Sequence, residues 1–177
     1  NHHAYVAQAI ESAIGQQLDR PFEIVIGDDA SVDGTRAIVQ EYQRRYPDRI
    51  RVVLPPHHLG LGGNPLLLEL LAACRAPYVA FLDGDDYWTS PRKLQAQVDF
   101  LDRAGECAGC FHDVEIRFEE GGEPPRRHHG SGFGAFLAID DLLHGNVIQT
   151  CSVMVRREAL AGLPDCIRTI EPQDWAF

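Results

Sequence analysis

Three carboxylates, Asp83, Asp85 and Asp86, stand directly behind the run Tyr78-Val79-Ala80-Phe81-Leu82. An apolar run of that length suits a buried strand and is too short for an ordinary helix. The acids therefore fall where a strand ends and a loop begins. In an open α/β sheet, ligands bind beyond the carboxyl ends of the strands. Like charges about 4 Å apart repel by about 4 kcal/mol at an effective dielectric of about 20. A cluster of this kind needs a bound cation, and a hard divalent ion such as Mg2+ or Mn2+ prefers oxygen ligands. The chemistry expected here is a metal ion that in turn holds a phosphate.

A second acidic group, Asp28, Asp29 and Asp33, follows the apolar stretch Phe22 to Gly27. Either group alone has an ordinary explanation. Asp is common in loops and at helix starts, and Asp33-Gly34 by itself is a turn into a helix. Two such groups at matching strand ends, opening on one crevice, point to a site.

The elements that position these acids alternate. Val6, Ile10, Ala13 and Ile14 recur at helical spacing within residues 4–17. A strand follows at 22–27, then a helix with Ile38, Val39, Tyr42 and Tyr46 on one face, then a strand from Ile50 to Leu54. Beyond the Gly-rich loop His57 to Gly63, Asn64-Pro65 is a good helix start, with Leu67, Leu70, Leu71 and Cys74 as the expected buried stripe. A strand at 77–82 leads through the acids to Ser90-Pro91 and a helix carrying Leu94, Val98 and Leu101. Alternation of this kind implies right-handed crossovers and a parallel sheet. A first strand is expected before residue 4. After residue 105 the texture is less regular. A strand is expected over Cys110–Phe118, a loop over Glu119–Gly134, a short helix over Ile139–Leu143, a strand over Thr150–Val155 and a short helix over Arg156–Ala161. One α/β domain over 1–177 is the simplest organisation, with a nucleotide-binding half (1–105) and an acceptor-side half (106–177).

Composition narrows the partners. The formal net charge of −10 over 177 residues argues against nucleic acid, which would call for a basic face. No stretch approaches the roughly 18 apolar residues of a transmembrane helix, so no integral membrane segment is expected. Five cysteines at irregular spacing do not read as a disulfide framework and suggest a reducing, cytoplasmic setting. Cys107 and Cys110 form a CxxC near His112, but zinc wants four ligands. Thiols in or near an apolar strand are the plainer reading. The pairs His2-His3, His57-His58 and His128-His129 lie at the terminus or in loops, and no metal role is expected of them.

Glu23-Ile-Val-Ile-Gly-Asp28-Asp29-Ala-Ser31-Val-Asp33-Gly34-Thr35 resembles the DDxSxDxT signature of the family 2 inverting glycosyltransferases of the GT-A fold. Tyr78 to Trp88 resembles that family's DxD region, and Thr89-Ser-Pro91-Arg-Lys93-Leu94-Gln95 resembles its continuation in one branch. The resemblance implies a GT-A fold, a mainly parallel sheet flanked by helices. It implies that Asp29 contacts the nucleotide base, a uracil imide, with Asp28 beside it and Asn64 in the same region. Asp85 is then the direct metal ligand, with Asp83 sharing the metal or facing the ribose or sugar, and Asp86 a further acid. Cys151 to Arg156 resembles the strand before the acceptor site. Gln173-Asp174 resembles the later acidic motif, often Glu-Asp, that supplies the catalytic base. The family's first strand, with its Thr/Tyr/Asn motif, is absent before Asn1, and the chain stops three residues after Asp174. A domain truncated at both ends is the expectation.

The implied reaction moves a sugar from a nucleotide-diphosphate donor, a UDP-sugar, to an acceptor hydroxyl with inversion. Mn2+ or Mg2+ would assist, and the acceptor is a carbohydrate, a lipid-linked molecule or a protein. Localisation is expected to be cytoplasmic or peripheral to the inner face of the membrane. The basic loop residues Arg126, Arg127, His128 and His129 could close over the diphosphate or simply be solvated. Competing readings are a nucleotide-sugar binding module without turnover, a sugar nucleotidylyltransferase and a metal-dependent phosphohydrolase.

Overall fold

A computed structural model describes residues 1–60, 64–118, 123–128, 136–138, 140–141 and 147–163. Helix α1 (Val6–Ile14) buries Val6, Ala9, Ile10 and Ala13 on one face. Strands β1 (Ile24–Gly27) and β2 (Ile50–Val53) pair in parallel, with Ile24 opposite Ile50 and Gly27 opposite Val53. Helix α2 (Thr35–Arg45) crosses between them. It follows Gly34, whose φ of 97° is a conformation that glycine adopts at little cost. Val39 and Tyr42 pack with Val6, Ile10 and Ile50 into one core cluster. Each such side chain contributes about 1.5–3 kcal/mol on burial.

Helix α3 (Asn64–Ala73) lies on β1. A Cβ on Gly27 would come within 2.9 Å of the side-chain ends of Leu66 and Leu70, so the bare backbone of Gly27 admits the helix. The buried positions of α3 are Asn64 and Leu66. The stripe expected from Leu67, Leu70, Leu71 and Cys74 is only half-buried. A helix that is apolar nearly all round does not fix its own phase, and contact with Gly27 sets it.

Strand β3 (Tyr78–Ala80) precedes the acidic loop, and α4 (Lys93–Arg103) follows it. Pro91 sits before the helix rather than in it. Ser90 Oγ accepts from Arg92 N at 3.3 Å, and its carbonyl accepts from Lys93 N at 3.3 Å. Leu94, Val98 and Leu101 are buried as expected, with Met154 completing a second cluster.

The single strand expected over 110–118 is two. Strand β4 (Gly109–Cys110) and β5 (Glu115–Ile116) are separated at Asp113, whose Oδ1 accepts from Val114 N at 2.9 Å. Strand β6 (Arg126–Arg127) lies within the expected loop and pairs antiparallel with β5. Thr150–Ser152 is a 3-10 turn, and β7 (Met154–Arg156) starts later than the sequence suggests. Arg157–Leu160 is a second 3-10 turn rather than an α-helix, with Gly162 beyond it at φ 84°. The helix expected at 139–143 falls mostly outside the described residues.

Pairing is parallel at β1–β2 and antiparallel in the order β3–β7–β4. Among the described residues no ladder joins β1 to β3. Arg156 ties the second half to α4. Its guanidinium donates to the carbonyls of Leu101, Ala104 and Cys107 at 2.7, 3.0 and 2.8 Å. A cation there complements the negative end of the helix.

Candidate functional site

The N-terminal segment joins the two acidic loops. Asn1 Oδ1 accepts from Val32 N at 2.8 Å, and His2 N donates to Thr35 Oγ1 at 2.8 Å. His3 N donates to Asp33 Oδ2 at 3.1 Å. On the other side, His2 Nδ1 lies 3.6 Å from Asp85 Oδ2. The loop after β1 and the loop after β3 therefore lie side by side, as the sequence suggested, and the histidine between them was not anticipated.

In the first loop the acids divide. Asp28 is buried, and its Oδ2 accepts from Arg36 Nε at 2.7 Å and Ser31 N at 3.2 Å. Arg36 also donates to the carbonyls of Asp28 and Pro55 at 3.0 and 2.7 Å. Asp28 Oδ1 is buried with no hydrogen-bond partner among the described residues. Asp29 Oδ1 accepts from Leu59 N at 2.7 Å, and Oδ2 lies 2.7 Å from His58 Nδ1. The loop His57 to Gly60 thus folds onto Asp29. Ala30 has φ 57°, a left-handed conformation that costs an alanine about 1 kcal/mol. Asp33 starts α2: its Oδ1 accepts from Thr35 Oγ1 at 2.6 Å and Thr35 N at 3.1 Å. These bonds, the Thr35 hydroxyl first, hold its carboxyl well below the usual range. Asn64 is buried at the start of α3, on the helix that covers β1.

In the second loop, Asp86 N donates to Asp83 O at 3.2 Å and closes a turn. Asp83 and Asp85 are exposed, whereas Asp86 is half-buried and bonds the Cys151 thiol. Burial, then the charge and hydrogen bond of Asp86, then the charge of Asp83 push that thiol up to about 12. Trp88 anchors the end of the loop. Its backbone N–H donates to Ser12 Oγ at 3.1 Å and its indole N–H to Cys151 O at 2.8 Å. From α1 and its C-terminal end, Gln16 bridges Ser90 O at 2.8 Å and Leu94 N at 3.0 Å. One helix therefore holds both loops, the first through the residues ahead of it and the second through Ser12 and Gln16.

Lys93 lies under this loop. It is buried, its Nζ has no hydrogen-bond acceptor among the described residues, and it sits 4.1 Å from the Trp88 ring centre. Burial pulls its pKa down to about 8. From the second half, Arg117 donates to Tyr87 Oη at 2.8 Å and to Glu115 Oε1 at 2.6 Å. Nothing in periodicity or spacing identifies His2 or His58 as neighbours of the acids, because each contact joins segments distant in sequence. Cys107 and Cys110 are half-buried free thiols packed on the α4 cluster, consistent with the plainer reading of the CxxC. Asp174 lies outside the described residues.

The donor atoms on the turn from Asp83 to Asp86 are carboxylate oxygens, the type that hard divalent ions prefer. Asp83 and Asp85 offer exposed oxygens on one turn, and Mg2+ sites commonly take one or two carboxylates with substrate phosphates and water. Among the described residues no group of three or more His, Cys, Asp or Glu is arranged to hold a metal ion.

This α/β arrangement is that of the GT-A glycosyltransferases. The model of glycosyl transferase family 2 matches residues 1–163, and the chain belongs to that family. It is 37% identical over 179 residues to an uncharacterised protein of Mycobacterium tuberculosis, covering 99% of this chain and 49% of that protein. It is 31% identical over 160 residues to TuaG of Bacillus subtilis, named as a candidate glycosyltransferase of teichuronic acid biosynthesis, covering 89% of this chain and 59% of TuaG. The chain thus spans about half the length of the curated relatives it matches. Among solved structures, S. aureus TarS residues 1–349 superpose with TM-score 0.70 at 19% identity, over 99% of this chain and 50% of that one. The mannosyltransferase PcManGT of Pyrobaculum calidifontis, solved with GDP-Man and Mn2+, superposes with TM-score 0.65 at 17% identity, over 97% and 46%. Among the described residues no helix is long and apolar enough to cross a membrane.

Proposed function

We propose that this domain transfers a sugar from a UDP-sugar to an acceptor hydroxyl with inversion, assisted by a divalent metal. The observation that carries the reading is the meeting of the two acidic loops across His2, which bonds Thr35 on one side and faces Asp85 on the other. A nucleotide diphosphate has a base at one end and charge at the other, and the two loops suit the two ends. Asp29 accepts from the base, and Asp28, held by Arg36, keeps that loop in place. Asn64 supports the same end through α3. Asp85 and Asp83 hold the metal, and Asp83 also faces the sugar. When bound, the ion neutralises charge growing on the leaving diphosphate, a Lewis-acid contribution.

Asp174 takes the proton of the acceptor hydroxyl as that oxygen attacks the anomeric carbon opposite the leaving group. A single displacement inverts the configuration, and no second carboxylate is assigned as a nucleophile. The nucleotide sugar and Mn2+ held by PcManGT support the same classes of ligand here. Family membership favours sugar transfer over nucleotidyl transfer or phosphate hydrolysis. Free thiols at Cys74, Cys107, Cys110 and Cys151 suit a reducing compartment, and we place the reaction on the cytoplasmic side.

The test is a panel of nucleotide sugars and acceptors, scored by metal-dependent release of nucleotide. Release that rises on adding an acceptor supports transfer. Donor binding with no acceptor-stimulated release would instead support a binding module.

A further inference from the structure

Lys93 opens α4, is 7% exposed, and has no hydrogen-bond acceptor for its Nζ among the described residues. Its ammonium meets the face of Trp88, with Nζ 4.1 Å from the ring centre. Around it lie the Cys110 and Cys151 thiols and the His112 ring, none of them a carboxylate. A buried cation without an ion partner destabilises a fold. An apolar side chain of similar length would fill the same space. Ionisable groups held in environments of this kind cluster at functional sites.

Trp88 stands just behind Asp85 and Asp86 and is fastened on three sides. Its backbone N–H donates to Ser12 Oγ on α1, its indole N–H donates to Cys151 O ahead of β7, and its ring lies against the Lys93 ammonium at the start of α4. Cys151 in turn bonds Asp86 through its thiol. The turn bond from Asp86 N to Asp83 O passes that restraint back along the loop. The end of the acidic loop is thus pinned where three elements meet, and Lys93 supplies the contact that fixes the plane of the indole. A cation over a ring is attracted by the ring quadrupole, most strongly when both are desolvated. We propose that Lys93 is a positioning residue for the acidic loop: acting through the Trp88 ring, it holds Asp83 and Asp85 in the geometry that a metal-bound diphosphate requires. The inference rests on the reading of that loop as the diphosphate end of the donor site. Its consequence is a separation of stability from function. The ammonium weakens the fold and improves the site.

The test is calorimetric titration of UDP into wild type, Lys93→Met, Lys93→Arg and Asp85→Asn at pH 7, with and without Mn2+, alongside urea unfolding. Lys93→Met should unfold at higher urea than wild type and match its UDP affinity without metal. The gain in UDP affinity that Mn2+ confers should nonetheless be about fivefold smaller in Lys93→Met, a coupling factor of ordinary size. Lys93→Arg keeps a cation on the ring and should retain most of the gain. A lysine with no part in positioning would give a more stable protein with the wild-type gain. If Lys93→Met keeps that gain while Asp85→Asn loses it, the positioning role is overturned and the reading of the acidic loop stands. A loss in Lys93→Arg as large as in Lys93→Met also overturns it, because the charge is then not what holds the ring. If Asp85→Asn keeps the gain, the reading of the loop fails, and the inference about Lys93 fails with it.

Discussion

The ammonium of Lys93 lies 4.1 Å from the centre of the Trp88 ring, buried beneath the acidic loop without a hydrogen-bond acceptor among the described residues. Burial lowers its pKa from 10.5 to about 8. A shift of that size corresponds to about 3 kcal/mol against the charged form. Lys93→Met, which conserves volume and carries no charge, removes that cost and should stabilise the domain at pH 7 by up to about 3 kcal/mol. The sign with pH follows from proton counts. Below pH 8 both states carry the proton. Between pH 8 and 10.5 the unfolded chain still holds a proton that the native Lys93 has lost, so the stability of wild type rises relative to the variant. Urea unfolding at pH 7 and at pH 10.5 should show a gain that disappears at the higher pH. A variant less stable than wild type at pH 7, or a gain independent of pH, would contradict this account.

Asp28 and Arg36 make the corresponding prediction for the first loop. The Asp28 carboxylate is almost wholly buried and leans on Arg36 Nε at 2.7 Å. Removing one partner of a buried pair leaves an uncompensated charge and costs about 3 kcal/mol or more. Arg36→Ala should lose about that much in urea unfolding, and Asp28→Asn less, because an amide keeps an acceptor without burying a charge.

His58 bears on binding rather than folding. It touches Asp29 from an exposed loop, with Leu59 N beside it. His58→Ala should leave the unfolding midpoint unchanged within error and weaken nucleotide binding about fivefold by freeing the carboxylate, a loss of about 1 kcal/mol. Calorimetric titration with UDP measures this directly.

Asp174 is the proposed base. Asp174→Asn should keep the UDP dissociation constant of wild type and reduce turnover by about 100- to 10,000-fold, the usual contribution of general-base catalysis. Unchanged turnover would move the base elsewhere in the protein.

The parts of this fold that rest on local pattern were legible in the sequence. The core faces of α1, α2 and α4 follow from helical spacing, and Val6, Val39 and Leu101 are buried where that spacing puts them. The two acidic loops also follow, because an apolar strand running into carboxylates states its own geometry. The face of α3 did not, since its leucines surround the helix and Gly27, on another element, selects among them. The break between β4 and β5 was hidden because alternation continues through Asp113, and only the bond from Val114 N to its carboxylate shows the turn. A lysine buried at the first position of α4 runs against expectation, and the Trp88 ring that receives it lies in the preceding loop. His2 and His58 reach the acids across gaps of 83 and 29 residues, and no spacing rule spans such distances.

The central claim is that the two loops form one donor site, with Asp29 at the base end and Asp85 at the metal end. Titration of UDP into wild type, Asp29→Asn and Asp85→Asn, each with and without Mn2+, tests it most directly. Asp29→Asn should weaken UDP binding about tenfold or more under both conditions. Asp85→Asn should match wild type without metal and lose the gain that Mn2+ confers. Equal UDP affinity in all three proteins, with and without metal, would contradict the account.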